Sequence, residues 1–521
     1  MRNIKAQFDA MLKADALMDW DTYNDSTKRY EFRKQRILND ESLTEENKTI
    51  VMKIFNILYD HDKILHNKGI KRSCENCQEN CLATYYCEHC MRNYLKANLS
   101  NWTSGNDEID NLIQKYQMES LAPNRIVEWI SYDNLQNISY LTEGKCYSAS
   151  WVNGFYNEWD AEKKQLVRSG TCPVILKKLD NIENINGNWS EEILTHLNLS
   201  NKCMEITRCY GLTRDQVNRN IFLVISKMDE DLRKYLSKNH NTLTWNKKIS
   251  IMCDIVISIS RIHSANIVHR NLNSRNILLS SSDQWYISGF EFSGPVNKTL
   301  KKVYGNLPYV APEIITGKEF TFASDIYSIG VLMWEISFAQ SPFNDYEHDY
   351  DLAIKIVNGM RPKITPGIPL EYSKLIKQCW DADPLKRPSI NTLGKELMRI
   401  RRSYYQDVLN QLDNDFINSN NLNSKNHYTS TSKLYRFEGM PEPKNVTEEE
   451  QEAFHSKLYN FSIPDNNDNK IGSNSNNNQE INTIQQHIKK IHIVLDDEEK
   501  FNNANLHSEE QDQLEIPDDI F

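Results

Sequence analysis

Two Cys-x2-Cys pairs, Cys74-Glu-Asn-Cys77 and Cys87-Glu-His-Cys90, lie nine residues apart and confine residues 71–100 more tightly than any other stretch. Each pair lets two thiolates grip one ion from a tight turn, and two pairs complete a tetrahedral zinc site. Five of the 11 cysteines fall between positions 74 and 90. The start of the chain lacks the apolar core of a signal peptide, and no run reaches the roughly 18 apolar residues of a membrane span. The expected address is therefore the cytoplasm or nucleus, where thiols stay reduced and clustered cysteines favour metal over disulfides. The expected ligands are Cys74, Cys77, Cys87 and Cys90, with Cys81 and His89 as competitors and free thiols in a helical segment as the plainer alternative. Four protein ligands would make any zinc structural, since no coordination position is left open for chemistry.

Around this module the chain changes character several times. Residues 1–70 read as helices: Ile4, Phe8, Met11 and Leu12 share a helical face. Ser42 and Glu45 suggest a capping box ahead of Ile50, Val51, Ile54, Phe55 and Leu58. A polar stretch from Asn101 to Asp107 leads to a helix around Ile109, Leu112, Ile113 and Tyr116, so 101–137 reads as a linker helix. Residues 138–403 show strand-like runs and then long helices. From 404 to 521 Asn, Ser, Asp and Glu dominate, and that composition predicts a mostly disordered tail. Two apolar islands in it, Phe454–Ile463 and Ile488–Leu495, are either docking segments or residual local structure. A net charge of −10 argues against a general nucleic-acid binder.

The central region carries an ordered series of motifs. Ile267-Val-His269-Arg270-Asn271-Leu-Asn-Ser-Arg-Asn276 resembles the H-R-D-x-x-x-x-N catalytic loop of protein kinases with its spacing kept. Ala311-Pro312-Glu313 resembles the A-P-E that closes the activation segment. Ser324-Asp325-Ile-Tyr-Ser-Ile-Gly330 resembles the start of the large buried C-lobe helix. Cys379-Trp380 to Arg387-Pro388 is similar to the closing motif of tyrosine-kinase-like members, in which the A-P-E acid pairs with the arginine, here Glu313 with Arg387. The cysteine leader and Pro441-Glu-Pro-Lys444 together resemble a set of fungal kinase-like proteins. The resemblance implies an α+β, two-lobed kinase fold, with a β-rich N-lobe and a helical C-lobe. It also implies that Lys177, in Val174-Ile175-Leu176-Lys177, is the phosphate-pairing strand lysine. Glu192 becomes its helix partner, Asn276 the second metal ligand, and Ile225 lies near the gatekeeper position, at the end of a strand from Ile221 into the hinge.

Against that template the chemistry is altered. The base position holds Asn271, whose amide has no useful basicity, and losing a general base typically costs about 10²–10⁴ in rate. The metal-binding D-F-G reads Gly289-Phe290-Glu291, with no side-chain oxygen at the aspartate position and Glu291 two residues too late. Of the glycine-rich loop only Gly144 remains. Ile175 replaces the small residue over the adenine, and overpacking of that kind costs about 1–3 kcal/mol. No catalytic set is therefore expected to be intact, and ATP with Mg²⁺ is expected to bind weakly or not at all. The expected function is that of a pseudokinase, a signalling scaffold or regulator with protein partners such as active kinases. The rivals are a residually active Ser/Thr/Tyr kinase and a zinc-module adaptor.

Overall fold

A computed structural model describes residues 7–456, apart from isolated positions before 25, residues 143–144, 180–190, 297–302 and 411–432, and positions 436 and 438. Ile4, Phe8, Leu12 and Gly144 lie outside the described residues, as do the island Ile488–Leu495 and most of the other.

Helices α1 (Ser26–Leu38) and α2 (Glu45–His66) pack against each other through Ile37, Leu43, Val51 and Phe55. The cap of α2 differs from the expected Ser42 box. Thr44 caps it, accepting from the Asn47 amide at 3.2 Å, while Ser42 bonds Asp40 two residues back. Serine beside aspartate closes a local turn of its own, and the next hydroxyl along takes the helix. A short hairpin, β1 (Arg72–Ser73) and β2 (Asn80–Cys81), and helix α3 (Glu88–Ala97) form the cysteine module.

The segment read as a linker is built into the N-lobe. Helix α4 (Asp107–Met118) starts where Asn106 accepts from the amides of Glu108 and Ile109. Its apolar face of Ile109, Leu112, Ile113 and Tyr116 packs on Ile193, Leu197, Leu212 and Leu223. Strand β3 (Glu128–Trp129) then runs parallel to a central strand of the N-lobe sheet. That sheet also contains β4 (Leu135–Thr142), β5 (Cys146–Trp151), β8 (Cys172–Lys178), β9 (Cys209–Arg214) and β10 (Ile221–Ser226). Its order is β3-β9-β10-β8-β5-β4, antiparallel everywhere except at β3. Between β5 and β8 a separate hairpin, β6 (Tyr156–Asp160) and β7 (Gln165–Arg168), leans on the cysteine module through Trp159 and Leu166. Helix α5 (Glu191–Lys202) packs on β9 and β10 of the sheet through Ile193 and Leu197.

The C-lobe is helical around one large core. Helix α6 (Leu232–Asn239) leads to α7 (Trp245–Ser264). Strands β11 (Ile277–Leu279) and β12 (Trp285–Ile287) carry the catalytic-loop region, and β13 (Val303–Gly305) follows. Helix α8 (Phe322–Phe338) is buried over nearly all its length: it is predominantly apolar, and its buried acids Asp325 and Glu335 are hydrogen-bonded. Helices α9 (Tyr350–Val357), α10 (Leu370–Cys379) and α11 (Ile390–Asn410) surround it. Part of the polar tail is ordered. Strand β14 (Lys433–Tyr435) and helix α12 (Glu448–Ser456) lie against the C-lobe, with Tyr435, Phe437, Met440 and Phe454 packed on its core. No described helix is long and apolar enough to cross a membrane.

Candidate functional site: the interlobe cleft and the cysteine module

Strand pairing sets the cleft's upper wall. Val174, Ile175, Leu176 and Lys177 oppose Ser226, Ile225, Val224 and Leu223 on β10, so half-buried Ile175 sits directly across from Ile225. Lys177, near the end of β8, donates to Glu192 on α5 at 2.6 Å and also to Glu291. Burial disfavours the ammonium, yet the two carboxylates more than compensate and hold its pKa above the ordinary lysine value. Burial likewise opposes ionisation of Glu291, and Lys177 overrides it, so that carboxyl titrates below its usual range. The strand lysine is thus held between two acids, one of them supplied by the segment that in kinases carries the metal aspartate.

The lower wall is organised from Asp325 at the start of α8. One of its oxygens accepts from the His269 amide at 2.8 Å and from His263 Nε2 at 2.9 Å. The other accepts from the Arg270 amide at 3.0 Å. Arg270 adopts a positive φ of 68° and sends its guanidinium to the carbonyls of Phe292 and Pro295. Asn271 is 2% exposed and sits among amides: Asn273 Nδ2 donates to its Oδ1 at 3.1 Å and Asn276 Nδ2 donates to its carbonyl at 2.7 Å. Asn276 in turn accepts through its backbone carbonyl from the Ser288 amide. The asparagine expected as a metal ligand is spent on holding the loop together.

Gly289 explains why. Its φ is +83°, and a Cβ placed there would lie 2.4 Å from the Asn276 side chain. The space an aspartate would need is already filled, and the backbone conformation is one that L side chains rarely adopt. Phe290 is buried between the rings of His196 and His269, with centroids 5.1 and 5.4 Å away. The residues present do not form a two-ligand Mg²⁺ site in this arrangement.

Below the cleft the scaffold is complete. Arg387 makes a two-pronged pair with Glu313, both contacts at 2.7 Å and both side chains buried. A second network, which the sequence did not single out, joins Arg233, Glu335 and Tyr309 beneath the catalytic loop and reaches Ser274.

In the cysteine module the ligand atoms of Cys74, Cys77, Cys87 and Cys90 all lie within 4.8 Å of one another. Cys74 and Cys90 sulfurs are 3.7 Å apart, and those of Cys77 and Cys87 are 3.6 Å apart. A tetrahedral ion with metal–sulfur bonds of about 2.3 Å would separate sulfurs by about 3.8 Å, so the cage has the right size. Cys81 packs beside these four and donates to the Arg72 carbonyl, but neither it nor His89 is in the converging set. The described cluster can hold a metal ion.

Comparison with known proteins supports the two-lobed kinase fold. Residues 151–397 match the family model for protein tyrosine and serine/threonine kinases. Over 201 residues, 38% of this chain, it is 30% identical to a probable LIM domain-containing serine/threonine-protein kinase of Dictyostelium discoideum, covering 30% of that protein. It is similarly 30% identical over 212 residues, 37% of this chain, to the dual specificity protein kinase zakA of the same organism, covering 27% of it. It is 32% identical over 182 residues, 34% of this chain, to a putative serine/threonine-protein kinase/receptor of Acanthamoeba polyphaga mimivirus, covering 11% of it. The chain thus spans less than a third of the length of these relatives.

Proposed function

We propose that this protein, which carries a domain of the protein kinase superfamily, is a pseudokinase of the tyrosine-kinase-like group that works in the cytoplasm as a protein-binding scaffold or regulator. The observation that carries the reading is the Gly289–Asn276 contact, where the side chain of one expected metal ligand occupies the space needed by the other. Asn271 and the Glu291–Lys177 pair support it. Phosphates entering the cleft would meet a lysine already neutralised by two carboxylates, and transfer would find no carboxylate to take the hydroxyl proton. Cys74, Cys77, Cys87 and Cys90 would hold a structural Zn²⁺ that fixes the fold of the leader.

A second reading, a residually active kinase, draws on the 2.6 Å Lys177–Glu192 pair, an element that active kinases require. One experiment separates the two. Thermal unfolding is followed with millimolar ATP, with and without Mg²⁺, beside an autophosphorylation assay. A ligand at a hundredfold excess over Kd stabilises by about 2.7 kcal/mol. The pseudokinase reading expects almost no shift and no transfer. A large Mg²⁺-dependent shift, with transfer abolished by Lys177→Met, would reverse the order of the two readings.

A further inference from the structure

Residues 433–456 lie beyond the 151–397 segment that matches the kinase family, yet described residues at both ends and in the middle of the segment are tied to the C-lobe. Strand β14 pairs antiparallel with β13 in the register Val303↔Tyr435, Tyr304↔Leu434, Gly305↔Lys433. Tyr435 and Phe437 stack with ring centroids 5.4 Å apart, and the Phe437 ring lies 6.2 Å from that of Tyr350. Further on, the Lys444 amide donates to the Val357 carbonyl at 3.1 Å. Asn445 accepts from the Ala382 amide at 2.9 Å and donates to Asp381 at 2.8 Å. Gln451 accepts from the Arg361 amide at 3.1 Å and donates to the Gly359 carbonyl. A Cβ on Gly359 would come within 2.8 Å of the Lys444 carbonyl and of Val446, so this glycine is what lets the segment pass.

Strand β13 pairs with nothing else among the described residues, and it ends beside the base position. A Cβ on Gly305 would lie 4.0 Å from Asn271 Oδ1. A chain hydrogen-bonded to this edge therefore runs past the place where an acceptor hydroxyl would be presented. An unpaired strand edge is a template for an incoming extended peptide, with main-chain bonds giving affinity and alternate side chains giving selectivity.

We propose that residues 433–456 are a displaceable strap that closes this peptide lane in cis. The lane's ligand is an extended segment with aromatic residues at alternate positions. Asn445 and Gln451 are the clasps that keep the chain's own segment in place. A partner carrying such a segment binds by displacing the strap. The inference is independent of the pseudokinase reading, because it concerns which peptide lies on β13 and not whether phosphate is transferred there.

The test is amide hydrogen exchange on the full chain, comparing the unaltered protein with the Asn445→Ala/Gln451→Ala double variant and with Phe437→Ala. Asn445 is exposed and Gln451 half-buried at the surface, so the double variant spares the core. The expected result is that amides of 303–305 and 433–435 are protected together, and that both variants raise their exchange about tenfold without affecting α8. Adding an excess of a synthetic 433–456 peptide to the double variant restores protection at 303–305. Fast exchange at 303–305 in the unaltered protein, no change in either variant, or no protection by the peptide would each overturn the proposal. None of these readouts involves nucleotide, so failure of the strap and failure of the pseudokinase reading are separable.

Discussion

The cysteine module and the interlobe cleft are both places where a kinase-like chain would gather a cation, and they differ in who supplies the positive charge. In the module four sulfurs converge within 4.8 Å, spaced for a metal ion. In the cleft the cation is already covalent: the Lys177 ammonium fills the gap between Glu192 and Glu291, while Gly289 and Asn276 pack against each other where metal ligands would diverge. The difference teaches that ligand residues count only as sets. Asn276 survives in sequence, but without a carboxylate at 289 its amide has become an internal strut.

The comparison breaks most easily at the module. Removing metal with a strong chelator, or changing Cys87→Ser, should unfold residues 71–100, because a structural zinc site contributes on the order of 10 kcal/mol of folding energy. Elemental analysis and circular dichroism check this. The same chelator should leave the cleft unaffected, and a protein that contains no zinc as purified would remove one side of the contrast.

Replacing Lys177 by Met leaves two acids facing each other without their cation. Breaking a buried pair costs about 3–5 kcal/mol, and the lower end is expected here because the three side chains keep 15–20% exposure. Glu291's lowered pKa means that its stabilisation is complete above the unfolded carboxyl value of about 4.3 and is lost as pH falls through the still lower folded value. Denaturant titrations should therefore show the widest gap between wild type and Lys177→Met from about pH 5 to pH 9. The gap should begin to narrow as pH falls below the unfolded carboxyl value and close once it passes the folded one. A gap independent of pH would mean that the lysine stem, not its charge, holds the cleft.

The smallest effect sharpens the contrast most. Gly289→Asp restores the missing carboxylate on paper. It should instead cost about 1–3 kcal/mol, because the residue must keep φ +83° or push Asn276 aside. Thermal shift should show no new Mg²⁺-dependent response to ATP. A gain of such a response would show that Asn276 can swing back to a metal.

Much of this was legible in the sequence where spacing is short or the partner is itself a motif. The four cysteines are two local turns, and Glu313 with Arg387 joins two motif residues. Glu192, expected as the helix partner, is an acid that reaches Lys177. What the sequence could not show depends on how distant segments meet. Glu291 lies two residues beyond the expected ligand position, and only the path of the chain after Gly289 turns it toward Lys177. The polar composition after 404 hides a few apolar residues, Tyr435, Phe437, Met440 and Phe454, that find a ready-made core to lean on. Thr44 replaced Ser42 as a cap because Asp40 competed for the serine locally.

The seam between leader and N-lobe bears on how such a chain can be inherited. Asn201, at the end of α5, donates to the Glu119 carbonyl, accepts from the Leu121 amide, and through its own carbonyl meets His61 of α2. Met91 and Leu95 of the cysteine module share a cluster with Ile126 and Leu166. A cut near residue 137 would strip β3 from the sheet and bare the apolar surface under α4, leaving two pieces each with half an interface. Cassette-like exchange of the leader between genes would meet the same obstacle. A new leader would have to supply its own partners for Asn201 of α5 and for Leu166 of the β6–β7 hairpin.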